Sequence, residues 1–219
     1  MSGAPSTSTI SHEDVLAWLR VYAQVIADNR GYLTDLDAAI GDADHGANMD
    51  RGFKAVIAKL MDTADKDIST TLRTVGMALI STVGGAAGPL YGTLFLQASQ
   101  AAAGKTALAL SDWATMLDAA TEGVIKRGKA GPGDKTMVDA LVPAVQALKG
   151  AIAAGQSFPE ALQSSARAAE HGMQSTLPLI AHKGRASYLG ERSAGHLDPG
   201  ATSSYLLIKA AADTWAGSY

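Results

Sequence analysis

Three carboxylates crowd a short stretch of this chain: Asp37, Asp42 and Asp44, with Gly41 and Gly46 interleaved. Carboxylate oxygens are hard ligands that suit Mg²⁺ or Ca²⁺. Several of them in one loop repel each other unless a cation or a basic group neutralises them. The glycines let the backbone fold tightly enough for the side chains to converge. The pattern of a calcium-binding EF-hand loop is only partly met. Asp42, Asp44 and Gly46 sit near its spacing, but the twelfth position from Asp42 is Phe53, where a bidentate Glu is required. Mg²⁺ fits better, because it uses few carboxylates together with phosphate oxygens. A solvated acidic loop in which Asp44 caps the next helix explains the same residues, and residue types alone leave both readings open.

Three further segments carry chemistry. Gly84-Gly85-Ala86-Ala87-Gly88-Pro89 puts small residues ahead of a helix start, where free N–H groups and the positive dipole end attract phosphate. Read alone, a tight interhelical turn explains it more simply. It is not a P-loop, and Gly104-Lys105-Thr106 fails that pattern too, with Ser99 in place of the leading Gly. In Gly131-Pro132-Gly133-Asp134-Lys135-Thr136-Met137, Asp134 reads as an N-cap and Met137 as core, while Gly128 just upstream reads as a C-cap. The long segment 178–197 carries Lys183, Arg185 and Arg192, which suit phosphate, although each alone is explained as a solvated charge. His45, His182 and His196 read as structural or solvated. Together, metal-binding carboxylates, an N–H cradle and basic side chains are what phosphoryl transfer needs, since that reaction is catalysed by positioning and charge neutralisation.

The elements that must bring these segments together are helical. Ser11-His12-Glu13-Asp14 is a capping box, followed by Val15, Trp18, Leu19, Tyr22, Val25 and Ile26 at three- and four-residue steps, with Gly31 just past the end. Further helices are predicted at roughly 45–62, 68–83, 88–103, 111–127, 134–150, 158–177 and 198–216. Pro89 and Pro199 suit first-turn positions, Ser111 precedes a helical run, and Ser157-Phe158-Pro159-Glu160 is a second capping box. Lys126-Arg127-Gly128 reads as a helix end, with Gly128 left-handed. No convincing strand alternation is present. Consecutive helices joined by short connections pack antiparallel, so odd-numbered connections share one end. These are 29–44, 84–88, 129–133 and 178–197: acidic, Gly-rich, Gly-rich and basic. The even ones, 63–67, 104–110 and 151–156, are chemically bland.

Composition sets the frame. The 219 residues are 47% hydrophobic and 18% charged, which predicts a folded all-α chain with residues 10–219 as one domain behind a disordered tail of residues 1–9. A net charge of -3 argues against a nucleic-acid partner. The absence of Cys excludes a disulfide framework, a thiolate zinc site and a Cys nucleophile. No run of about 18 apolar residues and no signal-peptide pattern occurs, so the expectation is a soluble cytoplasmic protein with no membrane partner.

The run Leu36-Asp37-Ala38-Ala39-Ile40-Gly41-Asp42-Ala43-Asp44-His45-Gly46-Ala47-Asn48-Met49-Asp50-Arg51-Gly52-Phe53 closely resembles the signature of the L subunits of dihydroxyacetone kinase. So do Gly84 to Gly92, Pro132 to Met137, Gly184 to Arg192, Gly195-His196 and Asp198 to Thr202. The resemblance implies a barrel of eight antiparallel helices with a nucleotide at one end. Asp37, Asp42 and Asp44 would hold two Mg²⁺ against the diphosphate. Nucleotide contacts would fall on His45, Gly46, Ala47 and Asn48, on Gly85, Ala86, Ala87 and Gly88, and on Gly128, Met137, Arg185, Leu197, Asp198 and Pro199. Arg185 would also assist catalysis at the phosphates. Ala87 stands where family members often have Ser or Thr, which removes a hydroxyl donor.

A free-standing chain of this length is similar to the phosphotransferase-system-dependent type. That type implies tightly held ADP, phosphorylated to ATP by a phosphohistidine carrier, the M subunit. The γ-phosphoryl then passes to dihydroxyacetone on a K subunit, which would also supply the sugar's anchor. Two alternatives stay open: a subunit that exchanges ATP in a kinase for another short ketose or tetrose, and a non-enzymatic nucleotide sensor. The oligomeric state is left open, a homodimer included.

Overall fold

In the computed structural model, residues 9–63 and 66–216 are described. The expected tail, residues 1–9, lies outside them apart from Thr9. Among the described residues the helices are α1 (His12–Asp28), α2 (Arg30–Ile40), α3 (His45–Leu60), α4 (Ile68–Thr82), α5 (Ala87–Ala101), α6 (Leu110–Gly128), α7 (Val138–Ala153), α8 (Phe158–Ser175) and α9 (Pro199–Ala216). Short 3-10 segments span Met61–Thr63 and Arg185–Ser193. No helix among them is long and apolar enough to cross a membrane.

Local chemistry starts these helices where the sequence marks them. Ser11 Oγ accepts from the Asp14 N–H at 3.1 Å, and the Asp14 carboxylate accepts from the Ser11 N–H at 2.8 Å. Glu160 takes the Ser157 N–H at 2.9 Å, and Asp67, unmarked in the sequence, caps α4 through the Thr70 N–H at 2.6 Å. Ahead of α1, the two-residue strand β1 (Ile10–Ser11) pairs antiparallel with β2 (Ala107–Leu108), with Ile10 opposite Leu108. A ladder this short has no alternation to display, which is why it is invisible in the sequence.

Helices α3 to α9 each pack on the next, and α1 packs on both α9 and α3, so the two ends of the chain meet. One apolar cluster runs through all of these helices. At its centre Trp113 meets Trp18 and Trp215 edge to face, and Trp18 and Trp215 are tilted against each other, with ring centroids 4.9 to 5.4 Å apart. Two of the polar tips bond across the α1–α9 seam: Trp18 Nε1 donates to the Leu207 carbonyl at 3.2 Å, and Trp215 Nε1 to the Asp14 carbonyl at 3.0 Å. Tyr22 likewise donates to the Ser203 carbonyl at 3.0 Å.

Four expectations need correction. Most of the connection expected at 29–44 is the helix α2, which follows α1 across Asn29, so Gly31 is inside a helix. Its buried face is Leu33, Asp37 and Ile40; a carboxylate in the middle of the stripe breaks the apolar period on paper. The helix expected at 134–150 begins at Val138, and Asp134 is not its N-cap. The preceding turn is wound instead around Asp139, whose carboxylate accepts from the Gly133 N–H at 2.5 Å and the Thr136 N–H at 2.7 Å. The left-handed residue after α6 is Lys129 (φ 49°), not Gly128. The connection 178–197 is not structureless. Its 3-10 segment is broken at Gly190 (φ 56°) and seats Ala186 and Leu189, with Ala181, against Ile40 of α2.

Gly172 of α8 is one of the points of close helix approach. A methyl group there would meet the Asp139 carbonyl oxygen of α7 at 2.1 Å and Pro143 at 3.1 Å. Gly150 of α7 is exposed, and a methyl group added to it would meet nothing within 4 Å. Gly172→Ala is therefore expected to cost about 1–3 kcal/mol by overpacking. Gly150→Ala is expected to gain about 0.5–1 kcal/mol through helix propensity. Urea denaturation followed by circular dichroism measures both; an unchanged midpoint for Gly172→Ala would contradict the close approach.

Candidate functional site

The odd-numbered connections converge. A cavity of about 360 Å³ is lined by residues 37–45, 84–91, 124–138, 183–186 and 198–200 in part, so chain-distant segments share one mouth. The acid segment is the most constrained. Asp37, Asp42 and Asp44 each offer an oxygen within 4.8 Å of the others. Asp37 is buried on α2, and its Oδ2 accepts from the N–H groups of Asp44 (2.7 Å) and His45 (3.0 Å). It thereby satisfies the start of α3, and the Asp44 side chain makes no capping hydrogen bond. The capping explanation for Asp44 is overturned, and Asp44 lines the cavity instead.

The glycines here serve close packing. A Cβ at Gly41 would lie 2.0 Å from Asp37 Oδ1, and one at Gly46 would lie 2.1 Å from the Arg30 carbonyl oxygen. The left-handed residue of the segment is Ala43 (φ 58°), between the two outer aspartates. Non-glycine residues reach that region only where their surroundings enforce it. Three hard oxygen donors converging on one point are a donor set that fits Mg²⁺.

Opposite the acids, Arg185 Nε contacts Asp42 Oδ2 at 2.9 Å, and Lys183 and Arg127 also line the cavity. Gly85, Ala86 and Ala87 lead into α5 and line the cavity, and the helix start has no side-chain cap on its first N–H groups. An apolar side is formed by Leu90, Val124, Ala130, Met137 and Val138. Behind the acids lies a buried polar network: His45 Nε2 pairs with Ser203 Oγ at 2.9 Å, and Tyr91 Oη with Ser203 Oγ at 2.7 Å and Ser204 Oγ at 3.0 Å. Burial lowers the His45 pKa against the opposing pull of Asp37 and Asp44, and burial raises that of Tyr91. Burial pushes the Asp198 carboxyl up to about 7, with Asp139 and Asp37 adding to the rise and the Ala201 N–H and Lys135 opposing it.

Of the expected nucleotide contacts, His45, Gly85, Ala86, Ala87, Gly128, Met137, Arg185, Asp198 and Pro199 line the cavity. Gly46, Ala47, Asn48, Gly88 and Leu197 are not among its lining residues. Asn48 is buried and accepts from Arg51 at 2.5 Å; Gly88 packs against the Val83 carbonyl; Leu197 packs against a small cluster with Met173 and Ala201. Sequence reasoning missed Tyr91, Arg127, Lys135 and Thr136. Lys135 stands in plain view between Asp134 and Thr136, but a buried lysine has no sequence mark of its own.

The fold and cavity define a helical domain that sets three converging carboxylates against an uncapped helix start. Residues 39–213 match the DAK2 domain family. The chain is 48% identical over 201 residues to the ADP-binding subunit DhaL of the PEP-dependent dihydroxyacetone kinase of Escherichia coli K12, covering 92% of this chain and 96% of that one. It is 43% identical over 206 residues to the corresponding subunit of kinase 1 of Listeria innocua, covering 94% and 98%. The dihydroxyacetone kinase of C. freundii superposes with a TM-score of 0.71 in its native form (23% identity) and 0.68 in complex with AMP-PNP and Mg²⁺ (25% identity). Those alignments cover 97% of this chain and 37% and 36% of the solved chains, so it spans a little over a third of their length. The chain belongs to the DAK2-domain family that includes the DhaL subunits of dihydroxyacetone kinases.

The differing duties of the aspartates are separable. Without divalent cations, Asp37→Ala is expected to lose about 1–3 kcal/mol, because the buried N–H of His45 and the half-buried N–H of Asp44 lose their acceptor. Asp44→Ala is expected to lose nothing or gain slightly, since one of three repelling charges is removed. Urea midpoints in chelator test both, and equal losses would contradict the assignment. A second expectation concerns pH. The folded-state pKa of Asp198, about 7, lies above its ordinary value of 3.8, so the folded state binds the extra proton between these values. Its contribution to stability therefore falls as pH rises from about 4 to about 7. Asp198→Asn keeps an oxygen for the Ala201 N–H; its stability relative to wild type should climb across that window and level off above it, as read by thermal unfolding.

Proposed function

We propose that this chain is the ADP-binding subunit of a cytoplasmic dihydroxyacetone kinase. In it, a phosphoryl group from a phosphohistidine carrier, the M subunit, passes by way of tightly bound nucleotide to dihydroxyacetone on a K subunit, giving dihydroxyacetone phosphate. The observation that carries the reading is the meeting of three carboxylates within 4.8 Å, an uncapped helix start and Arg185 in one cavity. The relatives' names, an ADP-binding subunit in both bacterial cases, support it. We read α1 and α3 to α9 as the eight staves of an antiparallel barrel, with α2 outside and residues 10–219 as one nucleotide-binding domain.

The chain's own groups divide the work. Asp37, with Oδ2 committed to backbone N–H groups, has Oδ1 for a cation, and Asp42 and Asp44 complete the ligand set. Two Mg²⁺ held there would supply charge neutralisation at the diphosphate and the transferring group. The α5 start offers N–H groups to phosphate oxygens. Arg185 commits Nε to Asp42, which leaves its two terminal nitrogens for phosphate. The apolar side formed by Leu90, Val124, Ala130, Met137 and Val138 suits a nucleobase. His45 is buried and paired with Ser203, and burial lowers its pKa, so it does not face the substrate as a free base. In this reading the K subunit, which anchors the sugar, also supplies the base for its hydroxyl.

Native mass spectrometry of the purified protein tests the reading, with about one ADP per chain and bound Mg²⁺ expected to survive desalting. Asp42→Ala is expected to lose both together. An empty preparation that binds and releases ATP would favour the exchanging subunit. Nucleotide binding without product, in an assay with phosphorylated carrier, K subunit and dihydroxyacetone, would favour the sensor.

A further inference from the structure

Lys135 is the cavity residue whose environment the proposed chemistry leaves unexplained. It is 1% exposed, and its backbone is left-handed at φ 60°. Its ammonium donates to the Thr176 carbonyl at 2.6 Å and to the His196 carbonyl. Those two carbonyls flank the connection that carries Arg185, Thr176 at its start and His196 at its end. A buried ammonium is costly unless its donors are met, and burial does pull its pKa down while Asp198 and Asp139 hold it up.

The same two connections are joined at further points. His182 N–H donates to the Asp134 carbonyl at 3.2 Å, and His182 Nδ1 lies 3.2 Å from Asp134 Oδ1. Gly195 N–H closes the base of the connection on the Leu177 carbonyl at 2.8 Å, and Ser193 Oγ accepts from the Ala181 N–H at 2.9 Å. At its far side the connection rests on Ile40 and reaches Asp42 through Arg185. The arch is pinned at its feet, and Lys135 bonds both feet with a single side chain.

We propose that Lys135 is a positioning residue: by bonding the carbonyls of Thr176 and His196 it fixes the arch 177–195, and so holds Arg185 at Asp42 and at the transferring phosphate. It acts through Arg185, not on the nucleotide directly. The inference rests on the kinase reading for its catalytic consequence, while the fixing of the arch is independent of it.

The test uses Lys135→Met, which keeps the chain length and removes the donors, beside Lys135→Arg, Arg185→Ala and the double variant Lys135→Met/Arg185→Ala. Hydrogen exchange is expected to quicken across 177–195 in Lys135→Met, with the α1, α4 and α5 amides unchanged. In the reconstituted transfer assay, kcat should fall about 10- to 100-fold, as for a displaced positioning group, with Mg²⁺-ADP affinity within about 3-fold. Because Lys135 acts through Arg185, the double variant should be no slower than Arg185→Ala. Lys135→Arg, which can still donate to both carbonyls, should recover most of the rate. If Lys135→Met does not fold, Lys135→Gln, which retains an N–H donor, carries the same comparison. Unchanged exchange at 177–195, or losses that multiply in the double variant, would overturn the proposal. If wild type itself yields no product, the kinase reading fails, and exchange at 177–195 alone decides whether Lys135 fixes the arch.

Discussion

Three carboxylates held within 4.8 Å of one another repel, and the surrounding structure is arranged around that repulsion. At an effective dielectric of about 20, two such charges oppose each other by roughly 3 kcal/mol. The chain meets this with several devices. Asp37 is buried on α2 and fixed by two backbone N–H groups at the start of α3. Asp44 sits at the N-cap position of the same helix, where the positive dipole end favours it. Asp42 has the guanidinium of Arg185, which comes from a connection more than 140 residues along the chain. That pair is largely exposed, so it contributes little to stability; its value is to bring the basic segment over the acidic one.

Backbone strain follows the same geography. Ala43, Lys129 and Lys135 are the non-glycine residues with positive φ among those described, and all three lie in the segments that frame the cavity. Such conformations cost on the order of 1–3 kcal/mol each and persist where packing over-determines them. Here the over-determination is visible: Ala43 is held between Asp37's N–H partners and the Asp42–Arg185 contact, and Lys135 by two carbonyls.

The helices and the clustering of the odd-numbered connections are legible in the sequence, because caps at Ser11 and Ser157 and apolar stripes such as Trp18, Leu19 and Tyr22 are local signals. Helix α2 is not. There the buried face includes Asp37, whose partners are backbone groups of the next helix and leave no mark in residue type. The boundary at Asp134 is obscured for a related reason: two carboxylates five residues apart, Asp134 and Asp139, compete for the turn's N–H groups, and only geometry says that Asp139 holds the helix start. Gly128 and Gly41 read as conformational glycines, yet their closest constraint is space, against Leu90 and Asp37. The acid triplet itself is plain, but the explanation of Asp44 as a mere cap can be set aside only once Asp37 is seen to fill that post. Lys135 is hidden because its partners are carbonyls.

The grouping of all three tryptophans has a practical corollary. Trp18, Trp113 and Trp215 stack into one cluster in the interior, and none of them borders the cavity. Intrinsic indole emission will therefore report loss of the core as one cooperative signal and stay nearly silent during a cation or nucleotide titration. Tyr188, 88% exposed on the arch beside Arg185, is the natural place for an extrinsic fluorophore that watches the mouth.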